Sequence, residues 1–84
     1  MKEFEYVIKD PLGLHARPTG LLMKKVKTLS GDFTIECRGR EADLGKLLAV
    51  MGLGVRGGDR VVVRSENATD EAMAELKRYF EENL

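Results

Sequence analysis

The chain has 84 residues, of which 43% are hydrophobic and 33% charged, which is typical of one soluble globular domain spanning residues 1–84. Its fourteen basic and fourteen acidic residues cancel, so no overall electrostatic field attracts nucleic acid or an anionic membrane. A chain this short also has little room for a deep active site that excludes water. The apolar runs are too short to span a membrane, and MKEFEYVIKD lacks the apolar segment of a signal peptide. One cysteine, Cys37, and one histidine can form neither an internal disulfide nor a structural zinc site. We therefore expect a cytoplasmic protein without metal, cofactor, nucleic-acid partner or membrane insertion.

The first two predicted elements are a strand and an amphipathic helix. Aromatic and aliphatic residues alternate with charged ones in EFEYVIK, residues 3–9, which is the period of a half-buried strand. After a proline and a glycine, Leu22, Val26 and Leu29 recur at the spacing of one apolar helix face. This helix is predicted to end near Gly31.

A hairpin and a short helix come next. DFTIEC, residues 32–37, alternates apolar and polar side chains, and Arg38 and Gly39 then turn the chain into a second short strand at residues 40–43. The apolar stretch KLLAVMGLG, residues 46–54, is too short for a long helix but sufficient for two turns.

The last two predicted elements are a central strand and a long helix. RVVVRS, residues 60–65, is rich in β-branched residues, and Thr69 provides an N-cap for a helix that carries Met73, Leu76 and Phe80 inward. The order β-α-β-β-α-β-α predicts an α+β open-faced sandwich. In this fold, three helices cover one face of a four-stranded antiparallel sheet.

The only histidine lies in GLHARPTG, residues 13–20, between the first strand and the first helix. Pro18 suits the opening turn of that helix, where its missing N–H is not needed, so His15 is predicted at the N-terminal tip. The unpaired N–H groups of Ala16 and Arg17 and the helix dipole favour an anion there, and the Arg17 guanidinium suits a phosphate. A neutral imidazole beside such a site is a nucleophile equipped to carry a transferable phosphoryl group.

Each of these features also has a purely structural interpretation, which spacing alone favours. A histidine at a helix start is more often a cap or a surface residue, and Arg17 would then be merely solvated. Lysines 24, 25 and 27 would mark a wet helix face. The apolar residues of the short helix would then be core, namely Leu47, Leu48, Val50, Met51 and Leu53.

GLHARP at residues 13–18, taken with LLAVMGLGV and the order of the elements, resembles the HPr family, the histidine-containing phosphocarriers of the bacterial phosphoenolpyruvate-dependent sugar phosphotransferase system. The resemblance extends from about residue 2 to residue 82. It implies that His15 accepts a phosphoryl group on Nδ1 from enzyme I and passes it to the A domains of enzyme II. It also implies that Arg17 balances the phosphate charge and that Pro18 shapes the helix start. The protein would be a monomeric carrier with a phosphohistidine intermediate rather than an enzyme that turns over.

The resemblance further implies a docking face formed by the first helix and the short second helix. On the first helix, the spacing of positions 17, 20, 24 and 27 independently places them on one stripe. The predicted docking face comprises Arg17, Gly20, Lys24, Lys27, Lys46, Leu47, Leu48 and Met51.

The sequence departs from the family pattern in two places. Lys46 stands where many relatives carry a serine that a dedicated kinase phosphorylates, so that form of regulation has no hydroxyl to act on. Pro11 and Leu12 precede the GLH glycine, where relatives often have a small polar residue that helps to bind phosphate. Phosphate binding would then depend on backbone amides and Arg17.

Three alternatives to the sugar-linked carrier stay open. One is a regulatory module that docks through the lysine and leucine side chains without phosphotransfer, and whose binding would be unchanged in His15→Ala. Another is a paralogue that serves a nitrogen-linked or dihydroxyacetone-linked phosphorelay. The third, a small ligand-binding domain, calls for convergent polar groups in a pocket. Its glycines at 52, 54, 57 and 58 are explained more simply by a helix stop and a turn.

Overall fold

The computed structural model describes residues 1–84 and contains the elements in the predicted order. None of the helices combines the length and apolar character needed to cross a membrane. The elements are β1 (Lys2–Val7), α1 (Ala16–Lys27), β2 (Thr34–Cys37), β3 (Arg40–Asp43), α2 (Leu47–Met51), β4 (Arg60–Ser65) and α3 (Asp70–Asn83).

The four strands form one antiparallel sheet in the order β1-β4-β2-β3. In the register, Tyr6 lies opposite Val61, and Val63 lies between Phe4 and Ile35. These side chains belong to the sheet face that the helices cover. The predicted open-faced sandwich is therefore confirmed.

A single cluster of 21 buried hydrophobic residues lies between the sheet and the helices. Phe80 of α3 is at its centre and packs edge-to-face on Phe4 and Tyr6, with ring centroids 5.4 and 5.7 Å away. Met73 and Leu76, which were predicted to face inward, are buried beside it. The helical period of the sequence therefore identifies the buried face of α3 correctly.

Several element boundaries differ from the prediction: β2 begins at Thr34 rather than at residue 32, and the ends of β1 and α1 also differ. β1 ends at Val7, yet the Ile8 side chain enters the core and is only 1% exposed, and its N–H donates to the Asp59 carbonyl. α1 ends at Lys27 rather than near Gly31, because the chain tightens into a turn that still leaves Leu29 packed against the core. Hydrophobic spacing thus predicted burial at both places but not the backbone conformation.

The uncovered face of the sheet is crossed by ion pairs that converge on Arg64 of β4. Its guanidinium pairs with Glu36 of β2, with Glu3 of β1 at 3.0 Å and with Glu41 of β3 at 3.0 Å. Hydrogen bonds to Glu36 and Glu3 raise the pKa of Arg64, which keeps its charge fixed. One side chain therefore connects all four strands on the side that no helix covers.

The N-cap of α3 provides a stability test. The Thr69 hydroxyl oxygen accepts a hydrogen bond from the Ala72 N–H at 3.0 Å, as the sequence predicts. Thr69→Ala should lower the free energy of unfolding by about 1 kcal/mol in urea denaturation. Thr69→Ser keeps the accepting oxygen and should lose much less. Equal losses in both variants would show that the cap bond does not stabilise the helix.

Candidate functional site

His15 is the N-cap residue of α1, as the position of Pro18 predicts. Its backbone is extended, with φ −80° and ψ 179°, and its carbonyl oxygen accepts the first helical hydrogen bond, from the Thr19 N–H at 3.1 Å. The imidazole makes no capping hydrogen bond and is 43% exposed. The imidazole therefore does not cap the helix with its side chain, and the ring is exposed as a surface residue would be and accessible to a partner molecule.

Hydrogen-bond donors without partners surround this tip. The N–H groups of Ala16 and Arg17 come too early in α1 to reach a helical carbonyl, and Pro18 has no N–H. The Arg17 side chain is exposed and free of ion pairs. No acidic residue occupies the first turn of α1. The tip therefore combines the positive end of a helix with one exposed, unpaired cation, a suitable environment for an anion.

Asp10 is a site residue that the sequence analysis missed. Its Oδ2 lies 4.0 Å from His15 Nε2, and its Oδ1 accepts a hydrogen bond from the Leu12 N–H at 2.9 Å. The Asp-Pro-x-Gly sequence indicates a turn that begins at Asp10. It does not show that the turn brings the carboxylate back to the imidazole.

The loop between α2 and β4 contacts the residues just before His15 through the backbone. The Leu14 N–H donates to the Val55 carbonyl at 3.0 Å. Gly13 has a φ of +67°, and a Cβ added there would lie 2.1 Å from the same carbonyl oxygen. Gly57 likewise lies against the Asp10 backbone, since a Cβ there would be 2.6 Å from its carbonyl oxygen. Gly57 was predicted only as a turn residue, but here it also lets two loops approach backbone to backbone.

The predicted docking face is largely exposed and continuous, because α1 and α2 contact each other. Leu48 is 82% and Leu47 37% exposed, whereas Val50 and Leu53 are buried. The core interpretation of the α2 cluster is thus right for Val50 and Leu53 and wrong for Leu48. The remaining members divide into exposed residues, which are Arg17, Lys24, Lys27 and Lys46, and half-buried ones, which are Gly20 and Met51.

Two exposed leucines adjoin this face and were not predicted. Leu21 is 49% exposed on the stripe of α1, one turn after Arg17, and that spacing could have revealed it. Leu12, in the turn before His15, is 70% exposed, and no periodic signal marks it. Lys25, by contrast, lies off the stripe of positions 17, 20, 24 and 27, and its Nζ lies 2.9 Å from Glu75 Oε2 on α3. The surface around the histidine therefore mixes cations with exposed apolar side chains.

The main clefts lie away from the histidine. One of about 410 Å³ is lined mostly by polar residues, including Thr34, Arg64 and Asn67, and by none from the GLHARP segment. Neither of the two clefts of about 410 Å³ is lined by His15 or its neighbours in GLHARP.

The fold and the site define a small α+β carrier-type domain with one exposed histidine at a helix tip. The sequence model of the PTS-HPr family, described as "PTS HPr component phosphorylation site", matches residues 2–82. The chain belongs to the HPr family, the phosphocarrier proteins of the phosphotransferase system.

Individual relatives agree with this assignment. The phosphocarrier protein HPr of Mycoplasma genitalium is 33% identical over 99% of this chain and 97% of its own. A crystal structure of HPr from Thermoanaerobacter tengcongensis has a TM-score of 0.89 and 30% identity, and the match covers 99% of this chain and 94% of that one.

A second structure from T. tengcongensis bears on the oligomeric state. It is described as an HPr dimer and has a TM-score of 0.69 and 28% identity, over 98% of this chain and 94% of that chain. A relative thus forms a dimer, so the monomeric state expected from the sequence stays a prediction.

The glycines provide a matched test of how the site is supported. Gly13→Ala forces a side chain into the Val55 carbonyl at a positive φ and should lower the free energy of unfolding by about 1–3 kcal/mol. Gly20→Ala places its Cβ in open space within α1 and should raise it by roughly 0.5–1 kcal/mol. Urea denaturation of both variants measures the difference. Similar changes in the two would contradict the close approach of the loops.

Proposed function

We propose that the protein accepts a phosphoryl group on His15 from phosphorylated enzyme I and donates it to the A domains of enzyme II in sugar uptake, acting in the cytoplasm. The observation that carries the proposal is an exposed imidazole at a helix tip, unused as a cap, beside N–H groups that lack partners. The Nδ1 lone pair forms a bond to phosphorus while the bond from phosphorus to the donor breaks. The donor atom leaves with that electron pair.

The Asp10 carboxylate supports the choice of Nδ1. Its Oδ2 lies 4.0 Å from Nε2 of His15, beyond hydrogen-bond distance, and its negative charge there favours the neutral tautomer that carries its proton on Nε2. Nδ1 is then the nitrogen with a free lone pair. The same carboxylate stabilises the positive charge that develops on the ring as the new bond forms.

The helix tip would hold the transferred group reversibly. A phosphoryl group on Nδ1 carries negative charge that the Ala16 and Arg17 N–H groups and the Arg17 guanidinium can bind. These contacts are solvent-exposed, so they stabilise the charge without burying the phosphate. A carrier needs both properties, because the group must survive diffusion and still be available to the next protein.

A regulatory module that only docks is the second candidate. The exposed Leu48, Leu21 and Leu12 favour it, since apolar side chains beside lysines suit protein contact whether or not a phosphoryl group moves. Both candidates use the same surface, so only the chemistry of His15 separates them.

Loss of the imidazole should abolish transfer. With enzyme I and phosphoenolpyruvate, the wild type should gain one acid-labile phosphoryl group by mass spectrometry, and His15→Ala should gain none. Binding of His15→Ala to enzyme I should stay within about twofold, because the docking face is intact. An acid-labile adduct on His15→Ala would rule out the assignment. A wild type that binds but never accepts phosphate would favour the docking module.

The cations of the docking face should have separable roles. Arg17→Ala should slow transfer at saturating enzyme I about tenfold, because Arg17 touches the transferred group. Lys24→Glu with Lys27→Glu should instead raise the half-saturating enzyme I concentration about tenfold, and added salt should mimic it. Lys77→Glu with Arg78→Glu makes the same charge change on exposed positions of α3 and should leave both parameters within about twofold. Identical kinetic profiles for the Arg17 and lysine variants would remove the distinction.

Lys46 should exempt the protein from serine phosphorylation. It is the exposed N-cap of α2 and makes no capping hydrogen bond. Incubation with ATP and a kinase that phosphorylates the serine of other HPr proteins should leave the wild type unmodified, whereas Lys46→Ser should gain one acid-stable phosphate. The phosphorylated Lys46→Ser should then accept phosphate on His15 more slowly, because its negative charge repels the incoming phosphoryl group and acidic partners. Of the other serines, Ser65 is buried and Ser30 lies past the end of α1. An acid-stable phosphate on the wild type that slows His15 would contradict this exemption.

A further inference from the structure

Arg38 adopts an unusual backbone conformation in the turn between β2 and β3. Its φ is +54°, and it is the one residue other than glycine with a positive φ; Gly39 follows at +80°. Two such residues in a row suit a tight hairpin, but glycine or asparagine occupies the first position with less strain than arginine. An arginine at that position suggests a role for its side chain.

The Arg38 guanidinium bridges the two ends of the loop at residues 53–59, between α2 and β4. Its Nη2 donates to the carbonyl oxygens of Leu53 at 2.8 Å and Gly54 at 3.1 Å, while Nη1 pairs with the Asp59 carboxylate. The planar guanidinium, with its several fixed N–H donors, can make these contacts at once.

Asp59 completes the attachment. Its Oδ2 also accepts a hydrogen bond from the Arg56 N–H at 2.9 Å. This backbone bond, together with the bond from Arg38, lowers the pKa of the Asp59 carboxyl, so it is ionised at neutral pH. The 53–59 loop is therefore held by a hydrogen bond within the loop, from Arg56 to Asp59, and by contacts with Arg38 of the β2–β3 turn.

This loop in turn holds the segment that leads into His15. The Gly58 N–H donates to the Ile8 carbonyl at 2.7 Å, and the Ile8 N–H donates to the Asp59 carbonyl at 2.9 Å. At the other end of the segment, the Leu14 N–H donates to the Val55 carbonyl at 3.0 Å. Leu14 is the residue directly before His15, so the backbone of the histidine takes its position from the loop that Arg38 holds.

We propose that Arg38, acting with Asp59, is a positioning residue for phosphoryl transfer, which orients the Leu14–His15 backbone through the 53–59 loop. Arg38 itself contacts neither His15 nor the unpaired N–H groups of the helix tip. This inference rests on the proposed function of His15 as the phosphoryl acceptor. It assigns to the β2–β3 turn a role in the reaction that its place in the sequence does not suggest.

The test compares Arg38→Asn with Arg40→Asn. Asparagine tolerates the left-handed conformation, so Arg38→Asn keeps the hairpin but removes the bridge. Arg40 lies in the same hairpin, is exposed and is free of ion pairs, and provides the control. In Arg38→Asn, the Leu14 amide should exchange hydrogen about tenfold faster while the amides of β4 are unchanged. The rate of transfer at saturating enzyme I should fall about tenfold at an unchanged half-saturating concentration.

Arg40→Asn should stay within about twofold of the wild type in every measurement. Arg38→Lys keeps the charge but not the planar set of donors, so both effects should be intermediate. Leu14 exchange or a transfer rate within twofold of the wild type in Arg38→Asn would overturn the proposal, and so would equal acceleration of the β4 amides. Leu14 exchange is measured without any phosphoryl donor. A wild type that never accepts phosphate would therefore refute the proposed function, whereas the Leu14 exchange rate would still show whether Arg38 holds the Leu14 backbone through the 53–59 loop.

Discussion

Burial of one sheet face beneath three helices is the constraint on which the rest of this structure depends. A chain of 84 residues can build only one core, and here a single cluster of 21 buried hydrophobic residues occupies it. No interior space is left for an enclosed active site. The candidate site at His15 therefore lies at the rim, where a helix begins and its first N–H groups face solvent.

This placement explains why the site consists largely of backbone. His15 is held by the N-cap geometry of α1 and, through Leu14, by the Val55 carbonyl. Glycines at positions 13 and 57 allow the supporting loops to touch without side chains between them. A rim site built in this way is held by backbone contacts and open to solvent, which suits a phosphocarrier protein.

A net charge of zero conceals an uneven distribution. Lysines and Arg17 lie on the predicted docking face of α1 and α2, whereas carboxylates surround Arg64 on the uncovered sheet face. The net charge of zero correctly indicates that no long-range electrostatic field attracts distant polyanions. At contact distance, however, the face around His15 is positive and suits an acidic protein partner. Exposed Leu48 adds apolar area to the same face.

The sequence by itself determined the order of the elements, the buried face of the longer helices and strands, and the place of His15. Alternation in β1, the β-branched residues of β4, the helical period of α3, the Thr69 cap and Pro18 after His15 are all local signals in the sequence, so local physics suffices to interpret them. Only the tertiary structure decided that Asp10 faces the imidazole, that Val55 holds Leu14 and that Arg38 reaches Asp59. It also decided that Val50 is core while Leu48 is exposed, because five residues of helix contain too few turns for a period to separate the faces. The contacts of Leu14 with Val55 and of Arg38 with Asp59 join segments about 20 to 40 residues apart, so they depend on how the helices and loops pack over the sheet, and periodicity carries no information about them. Asp10 is close to His15 in sequence, but the two are joined by an irregular turn that has no periodic signal.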